Sequence, residues 1–154
     1  MSMINARTRH RLERLTAASP AEMVVILYEE AIDSIGDAIE AISRDDVQTR
    51  YDATVRATEI LAHLAAALDE EAGGEIADRL AGIYRLAISR LTLVNVRNSS
   101  EVAEEVVDLL TPLLDAWRAI AAREQAAIEP EATGTFVPPV TVVAKHARAA
   151  RAGA

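Results

Sequence analysis

Leu15–Ile42 reads LTAASPAEMVVILYEEAIDSIGDAIEAI, and this stretch decides the fold class. Ser19-Pro20-Ala21-Glu22 is a helix start: the Ser19 hydroxyl can accept an orphan amide, and Glu22 can reach back as the other half of a capping box. Pro20 occupies the first helical position, where its missing N–H costs nothing. Val24, Leu27, Tyr28, Ala31, Ile35, Ala38 and Ile42 follow at spacings of three and four, which predicts an amphipathic helix from Pro20 to about Ile42. From Met23 to Tyr28 nearly every side is apolar, so a second face there needs a cover. The preceding residues are the nearest candidate.

Working outward, the same pattern recurs three times. Ser43–Asp46 is a polar turn with Asp45 or Asp46 placed as a cap. A second helix runs to about Leu68, with Ala57, Leu61, Leu64, Ala65 and Leu68 inward and Asp52, Arg56, Glu59 and His63 outward. Asp69–Gly74, DEEAGG, is expected to end it through the glycine pair. A third helix runs from near Glu75 to about Arg97, with Ile76, Leu80, Tyr84, Ala87, Leu91 and Val94 as its core stripe. Asn98-Ser99-Ser100 is a stop and a cap. The fourth helix extends to about Ile128, with Val102, Val106, Leu109, Leu113, Trp117 and Ile120 inward and Val107 and Leu114 on a flank. Pro112 within it predicts a kink near Asp108–Thr111. The reading is an all-α antiparallel four-helix bundle over residues 16–128, with an N-terminal arm (1–15) and a Pro- and Gly-containing C-terminal tail (129–154).

Composition agrees: of 154 residues, 51% are hydrophobic but only 3% aromatic, which suits helices packed through Leu, Ile, Val and Ala. With no cysteine, disulfides and thiolate metal sites are excluded. No apolar run is long enough to cross a bilayer and no secretory signal is apparent, so the expected location is the cytoplasm, without membrane insertion. Residues 16–128 carry nine arginines against 21 acids, and the arm carries Arg7, Arg9, Arg11 and Arg14 against Glu13. An acidic body argues against nucleic acid as a partner.

Catalytic chemistry is absent from this pattern. His10, His63 and His146 lie outside the helical core stripes, so none is placed to activate a nucleophile. Glu59 and His63 are four apart on one helix, but a di-iron bundle needs two Glu-x-x-His repeats with further inward carboxylates. No cofactor and no metal are expected, and the chain does not read as an enzyme. What stands out is a second stripe on the third helix: Gly82, Leu86, Ser89, Leu93 and Val96, spaced 4, 3, 4 and 3. Two leucines and a valine beside Gly and Ser form a face that another helix can approach closely, covered by the chain's own arm or tail or offered to a partner. Tyr28 and Tyr84 read as core residues with their hydroxyls at the rim.

Four stretches resemble one family in order and register. LTAASPAEMVVILYEEAI is similar to the opening helix of FliS, the flagellar export chaperones that bind flagellin. ALDEEAGGEIADRLAGIY is similar to that family's glycine turn and third-helix start. RLTLVNVRNSSE is similar to its third-helix end, with Asn95, and LDAWR, around Trp117, to its last helix. The resemblance implies a cytoplasmic bundle that binds the disordered C-terminal segment of flagellin, prevents premature polymerisation and, when loaded, engages the flagellar export gate. It implies a binding surface of Tyr28, Gly82, Leu86, Ser89, Leu93, Asn95 and Val96. The family's arm carries a tyrosine shortly after an Asn. Here Asn5 is followed by Ala6 and Arg7, so an arm cap would rest on Ile4, Leu12 and Leu15. The tail after Glu129 is not part of the family pattern. The alternative is a helical structural or regulatory module that pairs with itself as a homodimer through the same stripe.

Overall fold

The computed structural model describes residues 9–10, 13–14 and 18–127. The expected arm cap of Ile4, Leu12 and Leu15, and the tail, lie outside the described residues. Four helices follow in order: α1 (Pro20–Ser43), α2 (Val47–Ala66), α3 (Glu70–Arg97) and α4 (Ser100–Ala127). α1 packs against α2 and α4, and α3 against the same two, which leaves α1 and α3 on one diagonal and α2 and α4 on the other. The short connections make consecutive helices antiparallel.

The caps explain where the helices begin. Ser19 Oγ accepts the Glu22 amide at 3.2 Å, with Pro20 in the first turn. The expected return bond from Glu22 to the Ser19 amide is not made among the described residues. Instead Glu124 of α4 accepts the Ala21 amide at 3.3 Å, so the start of α1 is tied to the end of α4. Asp46 caps α2, accepting the Thr49 amide at 3.0 Å and the Thr49 hydroxyl at 2.6 Å. Those two bonds favour its charged form and hold its carboxyl below the usual carboxylate range. Asn98 ends α3 in the left-handed conformation (φ 49°), and Ser99 Oγ accepts the Val102 amide at 3.3 Å to open α4.

The core runs the length of the bundle and is built from the expected stripes. Tyr28, Ile35, Leu61, Leu64, Leu91 and Val106 are fully buried, each aliphatic one contributing about 1.5–3 kcal/mol. Val25 and Ile26 are buried together with Val24 and Tyr28, so the second face of α1's first turns is indeed covered. Buried alanines, Ala31, Ala38 and Ala41 on α1 with Ala53 and Ala57 on α2, leave little side-chain bulk between the helix backbones.

Three expectations are corrected. The glycine pair does not end the second helix. α2 stops at Ala66, and Asp69 already caps α3 by accepting the Glu71 and Ala72 amides, so Gly73 and Gly74 lie inside α3's first turns. Gly74, at φ 49° and ψ −126°, breaks the helical path there. Ile76, expected in the core, is 63% exposed just after that break; Ala77 takes the inward position, three residues before Leu80. In α4 the buried residues are Leu110 and Leu114, while Leu109, Leu113 and Ile120 are only partly buried. Val102, Val106 and Trp117 are buried as expected, so the inward face lies between the expected stripe and its Leu114 flank. Pro112 sits on the exposed side of α4, which continues through it.

Candidate functional site

The second stripe of α3 projects away from the core. Leu86 is 47% and Val96 75% exposed, Ser89 is exposed, and Gly82 and Leu93 are half-buried. A Cβ built on Gly82 meets no atom within 4 Å, so that position is an open dimple. Leu93 also packs against the core, which makes it the inner wall of the face. Arg90 and Glu105, 3.5 Å apart, fix how α3 lies beside α4. One turn away from that pair Leu86 comes abreast of Leu109, and Gly82 of Leu113, because antiparallel helices run at equal rise. Leu109 and Leu113 on the adjoining helix are half-buried and pack against the core. Sequence reasoning placed those leucines in the core. Their signal was a doubled apolar spacing in α4, with both 109/113/120 and 110/114/117 occupied.

Two of the expected binding residues lie elsewhere. Tyr28 has no exposed surface. Its hydroxyl is not at a rim but shares a buried 2.7 Å hydrogen bond with the Tyr84 hydroxyl across the α1–α3 diagonal, with the ring centroids 6.2 Å apart. Burial raises the pKa of both phenols above the ordinary tyrosine value. Asn95 forms a polar clasp between helices. Its side-chain amide donates to Thr54 Oγ1 at 2.7 Å and its carbonyl accepts from Arg50 Nε at 3.2 Å, and Arg50 also reaches Asn98. This clasp sets the end of α3 against the start of α2. Val47 and Tyr51, also exposed, lie on that start of α2 and were not singled out from sequence.

A separate cleft of ≈ 430 Å³ lies between α1 and the end of α4, lined by Arg14, Glu22, Glu29, Arg118 and Gln125 among others. Glu29 joins Arg14 of the arm (3.1 Å) and Arg118 of α4 (3.3 Å) there. Among the described residues no group of three or more His, Asp or Glu is gathered as a metal site. No helix of the described residues is long and apolar enough to cross a membrane.

Fold and surface together define a class: an all-α four-helix bundle with an exposed apolar stripe on α3 outside its filled core. Comparison with known proteins gives the particular family. The model of the family described as flagellar protein FliS matches residues 3–124. The flagellar secretion chaperone FliS of Campylobacter jejuni is 35% identical over 66% of this chain and 80% of its own length. That of Salmonella typhimurium is 35% identical over 68% of this chain and 78% of its own. The Bacillus subtilis chaperone is 25% identical over 77% and 87%. The chain belongs to the FliS family. Its relatives are chaperones by name, and the family match ends at residue 124, before the C-terminal tail (129–154).

Proposed function

We propose that this chain is a flagellar secretion chaperone that binds the C-terminal region of flagellin in the cytoplasm. The bound segment would be kept from premature polymerisation and delivered to the flagellar export apparatus. The observation that carries the reading is the exposed apolar stripe Gly82–Leu86–Ser89–Leu93–Val96, with Leu109 and Leu113 beside it, on a bundle whose core is already filled. A disordered segment with apolar residues at helical spacing gains burial on such a stripe and folds as it binds. Leu86 and Val96 are the residues most available for it; Tyr28 and Asn95 support the helix that carries the stripe. Co-expression with the flagellin of the same organism, followed by size exclusion, is expected to yield a stable complex. A chain that runs alone as a tight dimer, and that flagellin does not dissociate, would instead support pairing of two copies through the same stripe.

A further inference from the structure

Three of the five large apolar side chains exposed among the described residues stand together at one end of the bundle. Val47 (61% exposed) and Tyr51 (54%) lie one turn apart at the start of α2, and Val96 lies in the last turn of α3. The clasp at Asn95 brings them together. Tyr51 follows Arg50 and stands one turn before Thr54, both of which bond Asn95, and Val96 is the next residue after Asn95. Packed helices lie about 8–10 Å apart and four helical residues rise about 6 Å, so one bound helix can touch all three. Val96 is also the last residue of the α3 stripe, so the patch continues that stripe onto α2.

The charges beside this patch indicate what it takes. Residues 16–128 hold 21 acids, more than enough to pair their nine arginines. Arg44, Arg56, Arg79, Arg90 and Arg118 each meet a carboxylate. Arg50 and Arg97, which adjoin the patch, do not. Arg50 bonds only the side-chain oxygens of Asn95 and Asn98, and its Nη2 has no partner among the described residues. Arg97 is exposed, and its side chain makes no bond to the described residues. Arg85 and Arg123 are also without a carboxylate, but lie about 16 Å and about 35 Å from this end along α3 and α4. Tyrosine and arginine together are the side chains that most often carry binding energy at interfaces. A guanidinium with free N–H groups at the edge of apolar surface fits a carboxylate, to which it makes short, charge-assisted bonds. A second copy of the same patch would instead bring its own Arg50 and Arg97 against these, a like-charge contact.

We propose that Val47, Tyr51 and Val96 receive an apolar stretch of the exported segment, and that Arg50 and Arg97 select it through a carboxylate beside that stretch. This rests on the reading of the α3 stripe as the binding surface. The bound segment then runs along that stripe and passes over the end of α3 onto α2.

The test titrates a peptide of the flagellin C-terminal region into the full chain and three variants: Val47→Ser with Tyr51→Ser, Arg97→Gln, and Leu86→Asp. All four positions are exposed, so circular dichroism should report unchanged helix content. The serine pair is expected to weaken binding about tenfold. Arg97→Gln should weaken it about fivefold at low salt, and the difference should vanish in about 1 M salt, where the screening length is about 3 Å. A peptide with its acidic residues changed to amides should lose less affinity for Arg97→Gln than for the native chain, because the two changes remove one contact. Equal losses would overturn the carboxylate contact, and native affinity in the serine pair would overturn the patch. Leu86→Asp separates this from the reading beneath it. A loss there with the serine pair unaffected removes the patch and leaves the stripe as the binding surface. A loss in the serine pair alone leaves the patch and removes the stripe. A peptide that binds none of the chains removes both.

Discussion

Tyr28 and Tyr84 place two hydroxyls in the middle of a packed core, bonded to each other at 2.7 Å. The Tyr84 hydroxyl relies on Tyr28, which also has the Trp117 side chain as a partner, and a buried polar group without a partner keeps its full desolvation penalty. Tyr28→Phe or Tyr84→Phe should therefore cost about 1–3 kcal/mol in denaturant unfolding, and the double substitution less than the sum of the two. Strict additivity would show that the pair carries no coupling. The pair also predicts a pH dependence. Both folded pKa values are raised above the ordinary 10.0, chiefly by burial. The contribution to stability is thus complete below about pH 10 and is lost as pH rises, because the unfolded chain ionises first. Melting temperatures from pH 8 to 12 should fall more steeply for this chain than for the Tyr28→Phe, Tyr84→Phe double variant.

At the scale of the element, α3 carries both the fold and the stripe, and its two described glycines past the first turn have opposite roles. Gly74 sits at φ 49° inside the kink, a conformation that side-chain-bearing residues rarely adopt. Gly74→Ala should destabilise by about 1 kcal/mol or more. Gly82 is helical with open space around it, so Gly82→Ala should stabilise by about 0.5–1 kcal/mol. Thermal unfolding of the two variants checks both signs; a Gly82→Ala chain that melts lower would mean the dimple is needed by the fold itself. The same helix shows what was legible beforehand. Ser19-Pro20, Asp46 and Asn98-Ser99 act through local hydrogen bonds, so their placement follows from the residues alone. The glycine pair does break the helical path, at Gly74, as its permissive backbone implies, but Asp69 opens a turn before it, α2 has already ended at Ala66, and past the kink Ala77 rather than Ile76 faces in. In α4 apolar residues fill adjacent helical columns, so periodicity could not say which column faces in. Packing against α1 and α3 settled it on Leu110 and Leu114. The α3 stripe was legible as a face, whereas Tyr28 and Asn95 were assigned to it by likeness and sit in the core and in a clasp.

At the scale of the molecule, the bundle closes its own core and keeps an apolar stripe outside it on α3. That stripe is the feature the proposed chaperone activity needs. Asp at Leu86 adds a charge that binding must desolvate, whereas in the free chain this half-exposed position leaves the charge in water. Leu93 is a poorer probe because it also packs on the core. The most direct measurement is a calorimetric titration of a flagellin C-terminal peptide into the chain and into its Leu86→Asp variant, with circular dichroism on both. A loss of affinity of about tenfold or more, with helical content and melting temperature unchanged, is the predicted result. Equal affinity for the two chains would contradict it and move the binding surface off α3.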